Sequence, residues 1–165
     1  MGPNVSLVCS DTNSYCKNGL SSSHPWMQMN KTVFLIDDHV EMLSTLQRVI
    51  NNQKELEVCG VSSTPVEALS RISMLKPDLV ITDFNLPVMN GIEVTSQLLK
   101  DNPDQYVLIL SAYSNVKYAE KTLASGARGY ITKGNATQLL EGIKSVLDGE
   151  LYVSSELKAE MAHPS

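Results

Sequence analysis

The chain has 165 residues, 42% of them hydrophobic, and a net charge of −5, which suits one domain with a real core plus tails rather than two domains of comparable size. An acidic balance without a basic run or a basic helix face argues against direct contact with a nucleic-acid backbone. The longest apolar stretches are strand-sized and no secretory signal opens the chain, so no membrane contact and a cytoplasmic location are the expectations.

Residues 1–30 are rich in Ser and Asn without a sustained period and read as a flexible leader or extension. Cys9, Cys16 and His24 fall there; their spacing matches no common zinc pattern and a fourth ligand is missing. The texture changes at Lys31. Five apolar runs follow, "TVFLID", "LEVCGV", "DLVITD", "YVLILS" and "GYITK", each succeeded by a helical pattern. Rich in Val, Ile and Leu without clean alternation, they are expected to be parallel strands covered on both faces.

Between the runs, Val40, Leu43, Leu46 and Ile50 recur at near-helical spacing, as do Val66, Leu69, Ile72 and Leu75, and finally Leu139, Leu140, Ile143, Val146 and Leu147. These are expected to be the core faces of packed helices. "TPVE" offers Thr64 as an N-cap, Pro65 at the first helical position and Glu67 to complete a capping box. Asn102-Pro103 and Gly126 are expected to stop the third and fourth helices. Strand then helix, five times over, implies right-handed crossovers and a doubly wound parallel sheet over residues 31–150, with ligands at the carboxyl ends of its strands.

Those ends carry the chemistry. Asp37 and Asp38 close the first run, Asp83 the third, Ser111 the fourth and Lys133 the fifth. In the strand order 2-1-3-4-5 they converge on one crevice. Each has a plain alternative: Asp38 or Ser111 as a helix cap, Asp83 as a turn residue, Lys133 as a surface lysine. Together those alternatives require five unrelated accidents at one sheet edge. At about 4 Å, two carboxylates repel by roughly 4 kcal/mol at an effective dielectric of 20, so three of them either raise a pKa or recruit a cation. Mg²⁺ suits oxygen ligands of this kind. Asp83 is then a nucleophile able to take a phosphoryl group, with Lys133 neutralising the transferring oxygens and Ser111 donating a hydrogen bond.

In order along the chain, "LIDDH", "VITDFNLPVMNGIE", "ILSAY" and "GARGYITKGNATQLLEGIKSVLDGE" resemble the receiver domain of two-component response regulators over about residues 31–150. The last stretch is similar to the branch that carries a C-terminal LuxR-type helix-turn-helix, the NarL/FixJ-like regulators. The resemblance implies a flavodoxin-like (βα)5 fold and a signalling domain rather than an enzyme. It implies Asp83 as phosphoacceptor for a sensor histidine kinase. Asp38, Asp83 and the backbone carbonyl of Asn85 would bind Mg²⁺, with Asp37 assisting through water. Lys133 would pair with the phosphoryl group, Ser111 and Tyr130 would form the switch pair, the ring turning into space released by the hydroxyl, and Pro87 and Gly91 would shape the loop after the acceptor.

Further implications are a homodimer on phosphorylation, an output surface around the fourth helix and fifth strand, and DNA contact only through a domain outside this chain. Residues 151–165 would be the start of a linker or a tail. Lys117, Tyr118, Glu120 and Lys121 on the fourth helix are candidate contacts, or simply its solvated face. The chain departs from the family pattern at Gly134, where a proline joined by a cis peptide is common, and at Asn90, where an acid is frequent; the Lys133–Gly134 isomer stays open.

Other classes fit less well. A degenerate receiver acting only as a docking module is weakened by the complete residue set, while a stand-alone receiver is the alternative to the receiver portion of a transcription factor. An aspartyl-nucleophile phosphohydrolase needs an acid at position 85, where Asn85 cannot serve. A flavin binder needs a phosphate loop where Asp37-Asp38-His39 stands.

Overall fold

The structure is a computed structural model and describes residues 29–163. Cys9, Cys16, His24 and the leader reading lie outside the described residues. Within them, β1 (Lys31–Ile36), β2 (Leu56–Ser62), β3 (Leu79–Asp83), β4 (Tyr106–Ser111), β5 (Gly129–Thr132) and β6 (Tyr152–Val153) alternate with helices. These are α1 (Val40–Asn51), α2 (Pro65–Leu75), α3 (Gly91–Asp101), α4 (Val116–Ala124), α5 (Ala136–Leu147) and α6 (Ser155–Ala162).

The sheet runs β2-β1-β3-β4-β5-β6 with parallel pairing throughout. It contains the expected 2-1-3-4-5 order and adds a strand. Side chains alternate across the sheet, so β1 sends Val33 and Leu35 to one face, against α1 and α5, and Phe34 and Ile36 to the other. Both faces are buried, which is why these strands read as unbroken apolar runs.

Two sequence expectations are corrected. Thr64 is the N-cap of α2 and Pro65 opens it, but the Thr64 side chain makes no cap hydrogen bond. Glu67 instead pairs with Arg71, one turn on, at 3.1 Å; the capping box forms at α3, where the Asn90 side chain takes the Glu93 N–H and the Glu93 carboxylate takes the Asn90 N–H, both at 2.9 Å. Second, Val40, Val66 and Leu75 are 67%, 66% and 46% exposed. The buried stripe of α2 is Pro65, Ala68 and Ile72, and a one-residue shift turns a side chain by 100°, which carries Val66 to the flank. Within the segment expected to be a linker start or tail, Tyr152 and Val153 join the sheet, and Leu157 of α6 is fully buried.

At the far edge, β2 breaks register with β1 between Val33 and Phe34. There the Asn51 side chain accepts the Val58 N–H at 2.8 Å and the Arg71 guanidinium donates to the Val61 carbonyl.

Candidate functional site

The carboxyl ends of β1, β3 and β5 meet where the strand order reverses. Asp37 follows β1 directly, Asp83 is the last residue of β3, and Lys133 follows β5. The Lys133 ammonium donates to Asp37 Oδ2 at 2.9 Å and lies 3.1 Å from Asp83 Oδ1. Its position just after β5 is fixed by its own N–H, which donates to the Ser111 carbonyl at 2.7 Å. Asp37 and Asp83 are almost completely buried, whereas the Asp38 side chain is 35% exposed. Two adjacent acids in extended chain point opposite ways, so one is enclosed and the other faces the mouth.

His39 joins this group, a residue for which the sequence suggested no role of its own. Its N–H donates to Asp37 Oδ1 at 2.9 Å, and its Nδ1 lies 3.1 Å from that oxygen and 3.3 Å from Asp38 Oδ1. Ligand atoms of Asp37, Asp38, His39 and Asp83 fall within 4.8 Å of one another. Its position straight after two acids at a strand end was the available signal. Asp38 caps nothing: the N-cap of α1 is His39, without a side-chain cap bond.

Electrostatics follow from enclosure. Burial first, and then the negative charge of Asp37, push the Asp83 carboxyl above its usual range, while Lys133 and the Asn85 N–H pull it back. Burial opposes the Lys133 charge, but its hydrogen bond to Asp37 and the charges of Asp83 and Asp37 outweigh that and raise its pKa. A set of three carboxylates this close together fits a small hard dication.

Ser111 and Tyr130 are both fully buried, and neither belongs to the acidic cluster. They meet on Tyr113. Ser111 Oγ accepts the Tyr113 N–H at 3.0 Å, and the Tyr130 hydroxyl donates to the Tyr113 carbonyl at 2.7 Å. Burial pushes the Tyr130 phenol pKa up. Phe84, next to Asp83, lies edge-on to Tyr130 at 6.2 Å and stacks on Tyr118 at 5.0 Å. Tyr118 is thus part of an aromatic group as well as of the exposed face of α4, where Lys117, Glu120 and Lys121 are solvated.

The loop after Asp83 turns back on itself. The Gly91 N–H donates to the Phe84 carbonyl at 2.8 Å, and a Cβ on Gly91 would stand 2.6 Å from the Asp83 carbonyl oxygen. Only glycine allows that approach. Between Pro87 and Met89 a hydrogen bond of 2.8 Å closes a three-residue turn centred on Val88, at φ 74°. The peptide joining Lys133 to Gly134 is trans, and Gly134 has φ 108°, a conformation a proline at that position cannot adopt.

A doubly wound sheet with buried aspartates and a lysine at its switch point defines a class of signalling domain, and the chain belongs to the response regulator receiver domain family, whose model matches residues 33–144. It is 30% identical over 131 residues to response regulator GacA of Pseudomonas viridiflava, covering 79% of this chain and 61% of that protein. It is 32% identical over 122 residues to transcriptional regulatory protein DegU of Brevibacillus brevis, covering 73% and 52%. The chain therefore spans between about half and three fifths of these relatives.

Among solved structures, a LuxR-family two-component response regulator from Aurantimonas sp. SI85-9A1 superposes with a TM-score of 0.78 at 26% identity, covering 81% of this chain and 96% of that one. The isolated REC domain of RcsB from Salmonella enterica serovar Typhimurium, solved in the presence of phosphomimetic BeF3-, superposes with a TM-score of 0.73. At 19% identity over 79% of this chain and 97% of that one, it is a likeness of fold. Among the described residues no helix is long and apolar enough to cross a membrane.

Proposed function

We propose that Asp83 accepts a phosphoryl group from the phosphohistidine of a sensor kinase, in a cytoplasmic two-component pathway. The observation that supports this most is the Lys133 ammonium bridging Asp37 and Asp83 inside a buried strand-end cluster. A carboxylate oxygen of Asp83 attacks phosphorus, the bond from phosphorus to the imidazole nitrogen breaks, and its electron pair stays on that nitrogen. Lys133 moves its hydrogen bonds toward the phosphoryl oxygens, and Ser111 turns its hydroxyl to another. Asp37, Asp38, Asp83 and the Asn85 carbonyl would hold Mg²⁺, which supplies charge neutralisation for those oxygens.

The added charge favours the arrangement in which the Ser111 hydroxyl meets the phosphoryl group and the Tyr130 ring is turned inward, and so biases the α4–β5 face. Residues 31–150 are the receiver unit in this reading. Output is transcriptional, through a separate effector domain, in line with the name of DegU, of which the chain covers 52%, and with dimerisation on phosphorylation. The test is intact mass after incubation with acetyl phosphate, with and without Mg²⁺, for the wild type and Asp83→Asn. A single Mg²⁺-dependent adduct lost in the variant is expected; an adduct that persists in Asp83→Asn sinks the assignment.

A further inference from the structure

The sheet continues past β5. The Tyr152 N–H donates to the Arg128 carbonyl at 2.9 Å and the Ser154 N–H to the Tyr130 carbonyl at 3.1 Å. Ser154, fully buried, returns a bond: its Oγ accepts the Thr132 N–H at 2.8 Å, one residue before Lys133. In α6, Leu157 is fully buried in the same apolar cluster as Tyr130 and Ala119, and Met161 packs against that cluster. Gln138 on α5 fastens the start of α6, accepting the Ser155 N–H at 2.9 Å and donating to Glu156 at 3.3 Å.

We infer that Tyr152–Ala162 is a latch that holds the Tyr130 ring inside, with Ser154 and Leu157 as positioning residues, so that latch docking and occupancy of Asp83 favour each other. This rests on the phosphoacceptor reading above. β5 carries Tyr130 and leads directly into Lys133, and it is gripped on one side by β4 and on the other by the latch. For the ring to swing out past β5, the cluster that includes Leu157 must open. A second bond, from Thr132 to Ser154, ties the latch to the strand end that presents Lys133. The latch is also the weakly held part of the fold: its strand has two residues, and its helix has one fully buried side chain. Segments of that kind open locally at low cost and are readily biased. Coupling between two sites is reciprocal, so whatever closes the latch must tighten the acceptor site by the same factor.

The experiment is amide hydrogen exchange of the segment 152–162 by mass spectrometry, with and without beryllofluoride and Mg²⁺, beryllofluoride serving as a phosphoryl mimic. The wild type is expected to exchange about tenfold more slowly there when beryllofluoride is added, with no change in Asp83→Asn. By reciprocity, Ser154→Ala and Leu157→Ala are expected to weaken beryllofluoride binding about tenfold, while Lys158→Ala, at an exposed position of the same helix, leaves it unchanged. If Leu157→Ala does not fold, Ser154→Ala carries the binding arm, and the wild-type exchange arm needs no variant. Exchange that is unchanged or faster, in a protein that acetyl phosphate does convert to its Asp83 adduct, overturns the latch and leaves the acceptor standing. No adduct at Asp83 removes both.

Discussion

The Tyr130 hydroxyl donates to the Tyr113 carbonyl at 2.7 Å, while the N–H of that same Tyr113 donates to Ser111. One residue of the β4–α4 loop is therefore held from both sides, by Ser111 and by Tyr130. Tyr130→Phe removes one hydrogen bond from a well-packed ring and frees a carbonyl on a half-exposed residue that water can reach. Urea unfolding is expected to show a loss of about 1 kcal/mol. A loss near zero would mean that the bond to Tyr113 does not restrain the ring.

Lys133 separates two enclosed carboxylates. Lys133→Met leaves Asp37 and Asp83 facing each other without a cation, and breaking a buried pair on one side costs about 3–5 kcal/mol. The Lys133 side chain is 16% exposed, which puts the expected loss at the lower end, about 3 kcal/mol. The double variant Lys133→Met with Asp83→Asn should recover a large part of it, because one of the stranded charges is gone. Denaturant unfolding of the two single variants and the double variant, in a chelator, measures this directly.

Asp83 opposes folding when it is charged. Burial and the neighbouring Asp37 raise its carboxyl pKa, so its contribution to stability is complete below the ordinary carboxylate range and declines as pH rises through the raised value. In a chelator at neutral pH, Asp83→Asn is expected to melt above the wild type, and the gap should close toward acid. A gap that stays constant with pH would point to a packing effect instead.

The helix starts separate a working cap from a nominal one. Asn90→Ala should cost about 1 kcal/mol, because it removes the bond to the Glu93 N–H. Thr64→Ala should be close to neutral, since the Thr64 side chain makes no cap bond. Equal losses in thermal unfolding would contradict that assignment.

Tyr152 gives the latch a pH limit. Burial, its hydrogen bond to Glu141 and that carboxylate's charge push its phenol from 10.0 to about 12. The neutral phenol is favoured in the fold, so its contribution is complete below pH 10 and disappears as pH rises from 10 to about 12. Exchange of the segment 152–162 should accelerate across that window in the wild type more than in Tyr152→Phe. Identical profiles would show that this phenol does not hold the segment.

The sheet and its strand-end residues were legible because both signals are local. A strand buried on both faces must be an apolar run, and a polar residue that ends such a run marks the crevice. What escaped has local causes too. Nothing in "DD" tells which acid turns inward; the chain's path at the end of β1 encloses Asp37 and leaves Asp38 at the mouth. His39 entered the cluster because Asp37 draws both its N–H and its ring. Val66 and Ala68 both suit a helix face, and the position of α2 against the sheet selected Ala68. The latch was invisible because a two-residue strand has no period and the α6 helix buries only Leu157 fully. The Lys133–Gly134 bond, left open by the sequence, is trans.

The two margins of the sheet have different fates. One ends in the two-residue strand of Tyr152 and Val153, which is too short to offer an incoming strand a long ladder. The other, β2, is exposed to any strand that drifts past, yet Asn51 already takes the Val58 N–H and Arg71 the Val61 carbonyl, and the ladder is out of step beside them. An incoming strand would find two of its bonding positions taken and its spacing wrong. Self-association through this edge into stacked, fibre-forming sheets is thereby discouraged.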